Sequence, residues 1–492
     1  MSGKNKKKGR NDNTTVNDET QNKSELSIDD VAVHVTIDDV AVHVTIDDVA
    51  VNVTIDDVAV NVTIDDVGVK NDAPKYERTQ VDELEVNSIV EKKIRLHIFA
   101  VPHTITGNEY SSCAFTGKIY RFAKMMQSRG FEVYHYGVEG SQTTADKNID
   151  VLTRTEWDAL RVESLRMSKP HMTSISASNF LKDKNNFVGT LSNINLPLYK
   201  TFNKKLSVLL KNNYRSKETD IVCLPYGQAH EAAIKVGNYV VVESGIGYAN
   251  SYTENRIFES YAWLNVTREK QKKTHQPFWY VIPNYYDTDE FPLSLEPKKQ
   301  IGFLGRIGSS KGCHIYAEIA KKFPNINFIL CGQGDPKPFL TSPNIVYKGA
   351  IQGDQRAEYL GSLAALIAPS TYLEPFCGVT VEAQLCGTPV LTVDYGGVVE
   401  TIEQWKTGVR CHVLDDYCFA IEKVLDGYFD RNYIRERVVQ KYGMFEVAKQ
   451  YEKVFKTIIQ SKDWFLTKST REIPSNIIYT ALKTLQIPDI LY

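Results

Sequence analysis

Apolar residues fall into short runs separated by amphipathic stretches and glycine-bearing turns, and their order defines two similar units. IRLHIFAV at 94–101 is nearly continuous in apolar character, as expected of a strand buried on both faces. A loop with Gly107 follows, then a helical spacing of Phe115, Ile119, Phe122, Ala123 and Met126 that Gly130 ends. FEVYHYG (131–137) opens the next strand, and TDIVCLPYG (219–227) and NYVVVESGIGY (238–248) repeat the pattern with a helix between them. Strand, helix, strand is the grammar of a parallel sheet.

A second unit begins with QIGFLGRIGSSKG (300–312). It continues through INFILCGQGD (326–335), NIVYKGAI (344–351), LAALIAPS (363–370) and PVLTVDYGG (389–397), with helices between. Pro283 to Pro297 lie between the units and predict a hinge. The fold class expected is α/β: two Rossmann-like, doubly wound domains at 94–290 and 298–465, facing each other across a cleft. The helical stretch from about 413 closes the second domain, and a terminal helix at 466–492 is expected to pack back on the first.

Before residue 94 the pattern changes. Residues 1–27 form a polar Lys/Asn-rich leader, expected to be disordered, and residues 70–93 read as a linker. Between them the unit I-D-D-V-A-V-[HN]-V-T starts at Ile28, Ile37, Ile46, Ile55 and Ile64. Apolar residues alternate within a unit, and the Asp pair shifts the phase by one, so strand, acidic turn, strand is one reading. The simpler one is a tandem duplication forming a loosely ordered acidic tail, because the units bring no regular Gly turns. His34 and His43 hold equivalent repeat positions but bring no further ligand partners, which makes them weak metal candidates.

Composition sharpens this picture. At 492 residues the chain exceeds one core, and 42% hydrophobic with 24% charged residues is globular composition. The net charge of −2 hides an asymmetry: residues 1–69 carry −8, so the remainder carries +6. A mildly basic globular part suits a small anionic ligand better than a nucleic acid. Eight cysteines without a C-x-x-C pair read as reduced thiols of a cytoplasmic protein. The polar start MSGKNKKKGRNDN has no apolar core of a signal peptide, and no apolar run reaches the ~18 residues of a membrane span. The N-x-T sequons at Asn52, Asn61 and Asn265 carry no meaning in that compartment.

Two stretches carry chemistry. G-R-I-G-S-S-K-G (305–312) directly follows a strand, and its glycines let backbone approach a phosphate while Arg306 and Lys311 reach it. Y-L-E-P-F-C-G-V-T-V-E (372–382) places Glu374 in a loop and Glu382 in the first turns of a helix. The helix N-terminal amides of Gly378, Val379 and Thr380 would face an anion, and a carboxylate beside them can accept from a vicinal diol.

E-P-F-C-G-V-T-V-E-A-Q-L-C-G-T-P-V resembles the E-x7-E region of retaining glycosyltransferases with the GT-B fold, of the glycogen-synthase-like, group 1 or family 4 kind. G-R-I-G-S-S-K-G resembles their phosphate loop, V-I-P-N-Y-Y-D-T-D-E-F (281–291) their inter-domain linker, and D-Y-G-G-V-V-E (394–400) their G-G-x-x-E turn. The first domain is matched by general pattern only. The resemblance implies that Arg306 and Lys311 hold a donor diphosphate and that Glu374 contacts the donor sugar. It further implies that Glu382 accepts from the ribose and that Gly378, Val379 and Thr380 offer amides to phosphate. Ile351, after the Gly349 turn, would meet the nucleobase, and His230 in P-Y-G-Q-A-H would stand near the sugar. Tyr285 departs from the linker motif, which usually has Gly there, and leaves the conformation of that loop open.

The implied activity is hexosyl transfer from a nucleoside-diphosphate sugar with retention, with no metal and no cofactor beyond the donor. Residues 94–290 would serve the acceptor and 298–465 the nucleotide-sugar. The acceptor (glycan, lipid or protein) would be set by first-domain loops such as 102–116 and 140–190, and a basic, Tyr-rich first domain could rest on a membrane surface. The alternative is an inactive sugar-binding or structural relative. Asp287-Thr288-Asp289 is a D-x-D, but it lies within the linker motif rather than at an early strand end, which disfavours metal binding. G-Q-G-D-P-K and G-I-G-Y-A-N lack the third glycine of a dinucleotide fingerprint, and no G-x-x-x-x-G-K-[ST] is present.

Overall fold

The sheet of the first half is built from β1 (Arg95–Phe99), β2 (Glu132–Val138), β3 (Lys147–Leu152), β4 (Asp220–Leu224), β5 (Val241–Ile246), β6 (Asn255–Phe258) and β7 (Trp279–Val281). These strands are all parallel, in the order β7-β6-β5-β4-β1-β2-β3. The second half holds β8 (Gln300–Leu304), β9 (Asn327–Cys331), β10 (Ile345–Tyr347), β11 (Ala365–Ala368), β12 (Val390–Val393) and β13 (Gly408–Cys411), parallel in the order β10-β9-β8-β11-β12-β13. Both are doubly wound, and each reverses strand order beside its first strand, where such sheets bind ligands. The computed structural model describes residues 93–460 except 111–112, 184, 187–188 and 274–275, together with strand segments at 25–28, 31–38, 41–46, 54–55 and 58–59.

The helices of the first half are α1 (Ala114–Gln127), α2 (Arg154–Ser168), α3 (Ser174–Lys182), α4 (Pro197–Asn213), α5 (Gly227–Ile234) and α6 (Tyr261–Gln271). The second half adds α7 (Cys313–Lys322), α8 (Asp354–Gly361), α9 (Gly378–Leu385), α10 (Leu414–Leu425), α11 (Arg431–Tyr442) and α12 (Met444–Gln460). Among the described residues no helix is long and apolar enough to cross a membrane. The apolar face read for α1 is the one that packs: Ile119, Phe122, Ala123 and Met126 meet Leu96, Ile98 and Val133 of β1 and β2.

The return to the first domain comes earlier than the sequence suggested. Met444, Val447, Ala448, Tyr451, Val454 and Phe455 of α12 are buried in the first domain's core, because their helical spacing gives one apolar stripe. The expected terminal helix at 466–492 lies outside the described residues. The chain crosses between domains twice, and the crossings bond to each other: Tyr286 N–H donates to Tyr442 O at 2.9 Å and Met444 N–H to Tyr286 O at 2.8 Å. Tyr285 takes no left-handed backbone; its ring is buried edge-on to Tyr451 and its hydroxyl donates to Lys118 O at 3.0 Å. Asp287 of the D-x-D accepts from Lys124 at 2.5 Å and caps its own turn through Asp289 N–H.

The repeat segment forms a separate unit. Segments 25–28, 31–38 and 41–46 pair antiparallel in sequence, with His34 opposite Glu25 and Thr45. Most of the leader (1–24), residues 29–30 and 39–40 between the strands, and most of the linker (70–92) lie outside the described residues.

Two buried histidines make stability pH-dependent. Burial holds His135 down to about 4 and His230 down to about 3, whereas an unfolded imidazole titrates near 6.5. As pH falls below about 6.5 the unfolded chain takes up protons that the folded one refuses. Each histidine therefore removes about 1.4 kcal/mol of stability per pH unit down to its folded pKa. Urea unfolding from pH 7.5 to 4.5 should show this slope, and the His135→Gln/His230→Gln double variant should flatten it.

Candidate active site

The loops that follow β8 and β11 meet at the second sheet's switch point, and close backbone approach explains their glycines. Gly312 has φ +75°, and a Cβ there would sit 1.9 Å from Pro369 O. The two loops are stitched by Thr371, whose N–H donates to Ser310 O at 3.0 Å and whose hydroxyl donates to Ser309 O at 3.0 Å. The G-G turn closes the arrangement from the other side. Gly397 N–H donates to Glu374 O at 2.7 Å, and a Cβ on Gly397 would lie 2.2 Å from Pro375 O.

This framework brings Lys311 and Glu374 together. Lys311 Nζ donates to Glu374 Oε1 at 2.6 Å and to Tyr372 OH at 3.3 Å, with the ammonium 4.8 Å from the Tyr372 ring centroid. Glu374 is only 3% exposed. Tyr372 OH donates to its Oε2 at 2.6 Å and Ser370 donates to its Oε1. An ammonium has three donors, so one N–H beyond these two bonds can meet an anion. Arg306 in the same turn is exposed, and its charge favours ionisation of Tyr372, whose pKa burial and Glu374 nevertheless raise. Tyr372 and Ser370 lie in the segments singled out from sequence, but nothing in the spacing distinguished them as partners of the carboxylate.

Glu382 is held differently. Arg356 of α8 donates through Nε to Glu382 Oε2 at 2.6 Å, a partner absent from the sequence reading. The other oxygen, Oε1, lies on the Gly378 side, 3.9 Å from where a Cβ on Gly378 would stand. Gly378 itself has no room for a side chain, since that Cβ would meet Tyr286 OH at 2.5 Å. Of the three amides at the start of α9, that of Thr380 already bonds Cys377 O at 3.0 Å, leaving Gly378 and Val379 as the better-placed donors. The turn before them is strained: Cys377 has φ +69° and ψ +70°, a left-handed conformation that costs a residue with a Cβ about 1 kcal/mol or more. Arg356→Ala leaves a largely buried carboxylate without its cation and should destabilise the protein by about 3 kcal/mol. In urea unfolding, a Glu382→Gln/Arg356→Ala double variant should lose less than the sum of the single changes.

Two cross-domain contacts bear on the crevice. Glu400, from the G-G-V-V-E turn, accepts from the first amides of α6, Tyr261 N–H at 3.1 Å and Ala262 N–H at 3.0 Å, while Ser260 Oγ donates to Pro375 O at 2.6 Å. A carboxylate at a helix N-terminus is favourably placed, so this turn docks the first domain onto the Glu374 loop. Asn185, in the 140–190 region, accepts Ala350 N–H on its side chain at 3.0 Å and Gly334 N–H on its backbone carbonyl at 3.3 Å. It therefore touches the backbone next to Ile351, which is half-buried after the Gly349 turn (φ +77°). An asparagine in a loop carries no sequence signal for such a contact.

His230 belongs to α5 of the first domain. It is fully buried within the first domain, with Nδ1 3.1 Å from Asn203 Oδ1 and its ring edge-on to Phe99. Phe99 and Phe202 flank the ring. No group of three or more potential metal ligands occurs among the described residues.

The fold is one of two parallel-sheet α/β domains and matches that of solved GT-B glycosyltransferases, with charged loops at the strand ends of the second domain. Comparison with known proteins agrees. Residues 287–440 match the family model for glycosyl transferases group 1. An uncharacterized glycosyltransferase of Methanocaldococcus jannaschii is 27% identical over 182 residues, 34% of this chain and 46% of that protein. A GDP-mannose-dependent alpha-mannosyltransferase of Corynebacterium glutamicum is 30% identical over 120 residues, 24% of this chain and 29% of that protein. These matches support the group 1 family, although the chain spans less than half the length of the curated relatives it matches. Among solved structures, AviGT4, a glycosyltransferase involved in avilamycin A biosynthesis, superposes with a TM-score of 0.52. That likeness covers 75% of this chain and 98% of AviGT4 at 15% identity, and so speaks to the fold.

Proposed function

We propose that this protein transfers a hexosyl group from a nucleoside-diphosphate sugar to an acceptor hydroxyl, with retention of anomeric configuration and without a metal. The observation that carries this reading is the contact of Lys311 with the buried Glu374 across two loops at one switch point. As the glycosidic bond breaks, negative charge grows on the departing diphosphate and positive charge on the sugar ring. Fixed cations at Lys311 and Arg306 stabilise that charge more in the transition state than in the ground state. Glu374, held at both oxygens, would orient the sugar, and the diphosphate would take the acceptor's proton on the same face. Glu382 Oε1 and the Gly378 and Val379 amides would hold ribose and phosphate, with Ile351 at the base.

The acceptor is a glycan, a lipid or a protein, and a membrane-resting first domain would serve the second of these. The Corynebacterium relative is GDP-mannose-dependent, which makes GDP-mannose a natural first ligand, with UDP-glucose beside it. A thermal-shift panel of nucleotide-sugars, followed by hydrolysis of any that bind, tests the reading. Released sugar should keep the donor's anomeric configuration by NMR, and excess EDTA should leave the rate unchanged. A protein that binds no nucleoside diphosphate would end the proposal.

A further inference from the structure

We propose that Cys113 and His103 form a thiolate–imidazolium pair at the first-domain side of the crevice, and that Cys113 is a modification site for hydroperoxides and small electrophiles. His103 lies in the loop after β1, at the first sheet's switch point, and Cys113 is the N-cap residue of the fourteen-residue α1. Cys113 Sγ stands 3.5 Å from His103 Nε2. The other ring nitrogen, Nδ1, is 2.9 Å from the hydroxyl of Tyr199, a fully buried phenol whose pKa burial raises well above normal. A neutral phenol oxygen can accept from Nδ1–H while Nε2–H donates to sulfur, so both protons of an imidazolium have partners. The positive end of α1 favours a negative sulfur as well.

The groups around the pair add little charge of either sign. Tyr226 stands behind Tyr199, and His230, near His103, is buried and neutral. Lys118, farther along α1, is occupied by Glu259 and Gly245 O. Burial acts to raise the Cys113 thiol, but His103 beside it, together with hydrogen bonds from the hydroxyl and amide of Thr116, brings it down to about 6. Each of the other seven cysteines moves the opposite way, pushed up by burial. Cys113 is half-buried, as are Cys377 and Cys418, whereas Cys223, Cys313, Cys331, Cys386 and Cys411 are buried; His103 is what sets Cys113 apart from Cys377 and Cys418. Selectivity is thus built into its surroundings.

With a hydroperoxide the step balances without any other reagent. The thiolate attacks one peroxide oxygen, an S–O bond forms as the O–O bond breaks, and the departing hydroxide (or alkoxide) takes the imidazolium proton. Sulfur is oxidised by two electrons to the sulfenic acid and the peroxide is reduced to water or alcohol. The loop that carries His103 also reaches the second domain, where Asn108 donates to Asp354 at 3.4 Å. An adduct there would obstruct the crevice on its acceptor side, a consequence that rests on the transferase reading.

The test begins without any sugar donor, so that failure of the transferase reading leaves it intact. Full-length protein is treated with iodoacetamide across pH 5–9 and labelling of each cysteine is followed by peptide mass spectrometry. Cys113 should label first, with a midpoint near pH 6. His103→Ala, with His103→Gln as a second variant should the first not fold, should move the midpoint up toward the ordinary thiol value of about 8.5. At pH 6.5 the rate should fall only roughly fivefold, since the less acidic thiolate is the better nucleophile. Hydrogen peroxide with dimedone should trap a sulfenate at Cys113 and none in Cys113→Ser. A midpoint at pH 8 or above in the wild type, or one unmoved by both His103 variants, overturns the pair; absence of the dimedone adduct overturns the oxidation step. With an active donor in hand, alkylation should slow transfer more than donor hydrolysis, and equal slowing would remove the acceptor-side consequence.

Discussion

Lys311→Ala and Glu374→Ala should each lower donor turnover by about a hundredfold or more, the range found when one preorganised charge is removed from a transition state. The two variants should fail differently. Without Lys311 the leaving diphosphate loses a cation, so nucleoside-diphosphate affinity and kcat should both fall. Without Glu374 the ammonium keeps Tyr372 and gains freedom to meet phosphate. Affinity for the bare nucleoside diphosphate should then hold, or rise slightly, while kcat falls. Isothermal titration with the nucleoside diphosphate, paired with steady-state donor hydrolysis, separates the cases. If Lys311→Ala keeps kcat/KM within threefold, the cationic cradle is not what drives the reaction. Tyr372→Phe removes one of the bonds that fix the carboxylate and should lower kcat with little change in nucleotide affinity, as expected of a positioning residue.

Gly312→Ala should be the most disruptive single methyl group in the second domain's phosphate loop. The new Cβ would lie 1.9 Å from Pro369 O, and the backbone there has φ +75°. Neither atom is the movable end of a side chain, so the loop after β8 must shift away from β11. Left-handed strain costs about 1–3 kcal/mol and overpacking a similar amount, so a loss of roughly 3 kcal/mol or more is expected in urea unfolding. Gly130→Ala is the control: it has φ +81° but nothing within 4 Å of the added Cβ, so only the conformational part of about 1 kcal/mol should appear. The Gly312 variant should also lose donor binding, because Lys311 precedes the displaced residue. Equal losses at the two glycines would show that the contact with Pro369 O is unimportant.

Much of this was legible in the sequence because it depends on local pattern. Continuous apolar runs identify strands covered on both faces, glycines mark where those strands turn, and the regular alternation leaves few topologies open. The charged residues of two such turns, Lys311 and Glu374, needed only the rule that strand ends converge at a switch point to be brought together. Those features follow from periodicity and backbone freedom, which neighbouring residues control.

What the sequence left undetermined depends on residues far apart in the chain. Arg356 meets Glu382 across a helix pair, Asn185 reaches Ala350 from the other domain, and Cys113 finds His103 across a loop. His230 shows the same principle: no spacing in its own segment indicates that Phe99 and Phe202 flank its ring. The return helix is a third case, since an amphipathic stripe shows that a face is buried but not against which sheet. Local pattern specifies which surfaces need partners, because period and chain stiffness act over a few residues. Which partner each one takes is decided only when packing, exclusion of water and closure of both domains select among distant candidates.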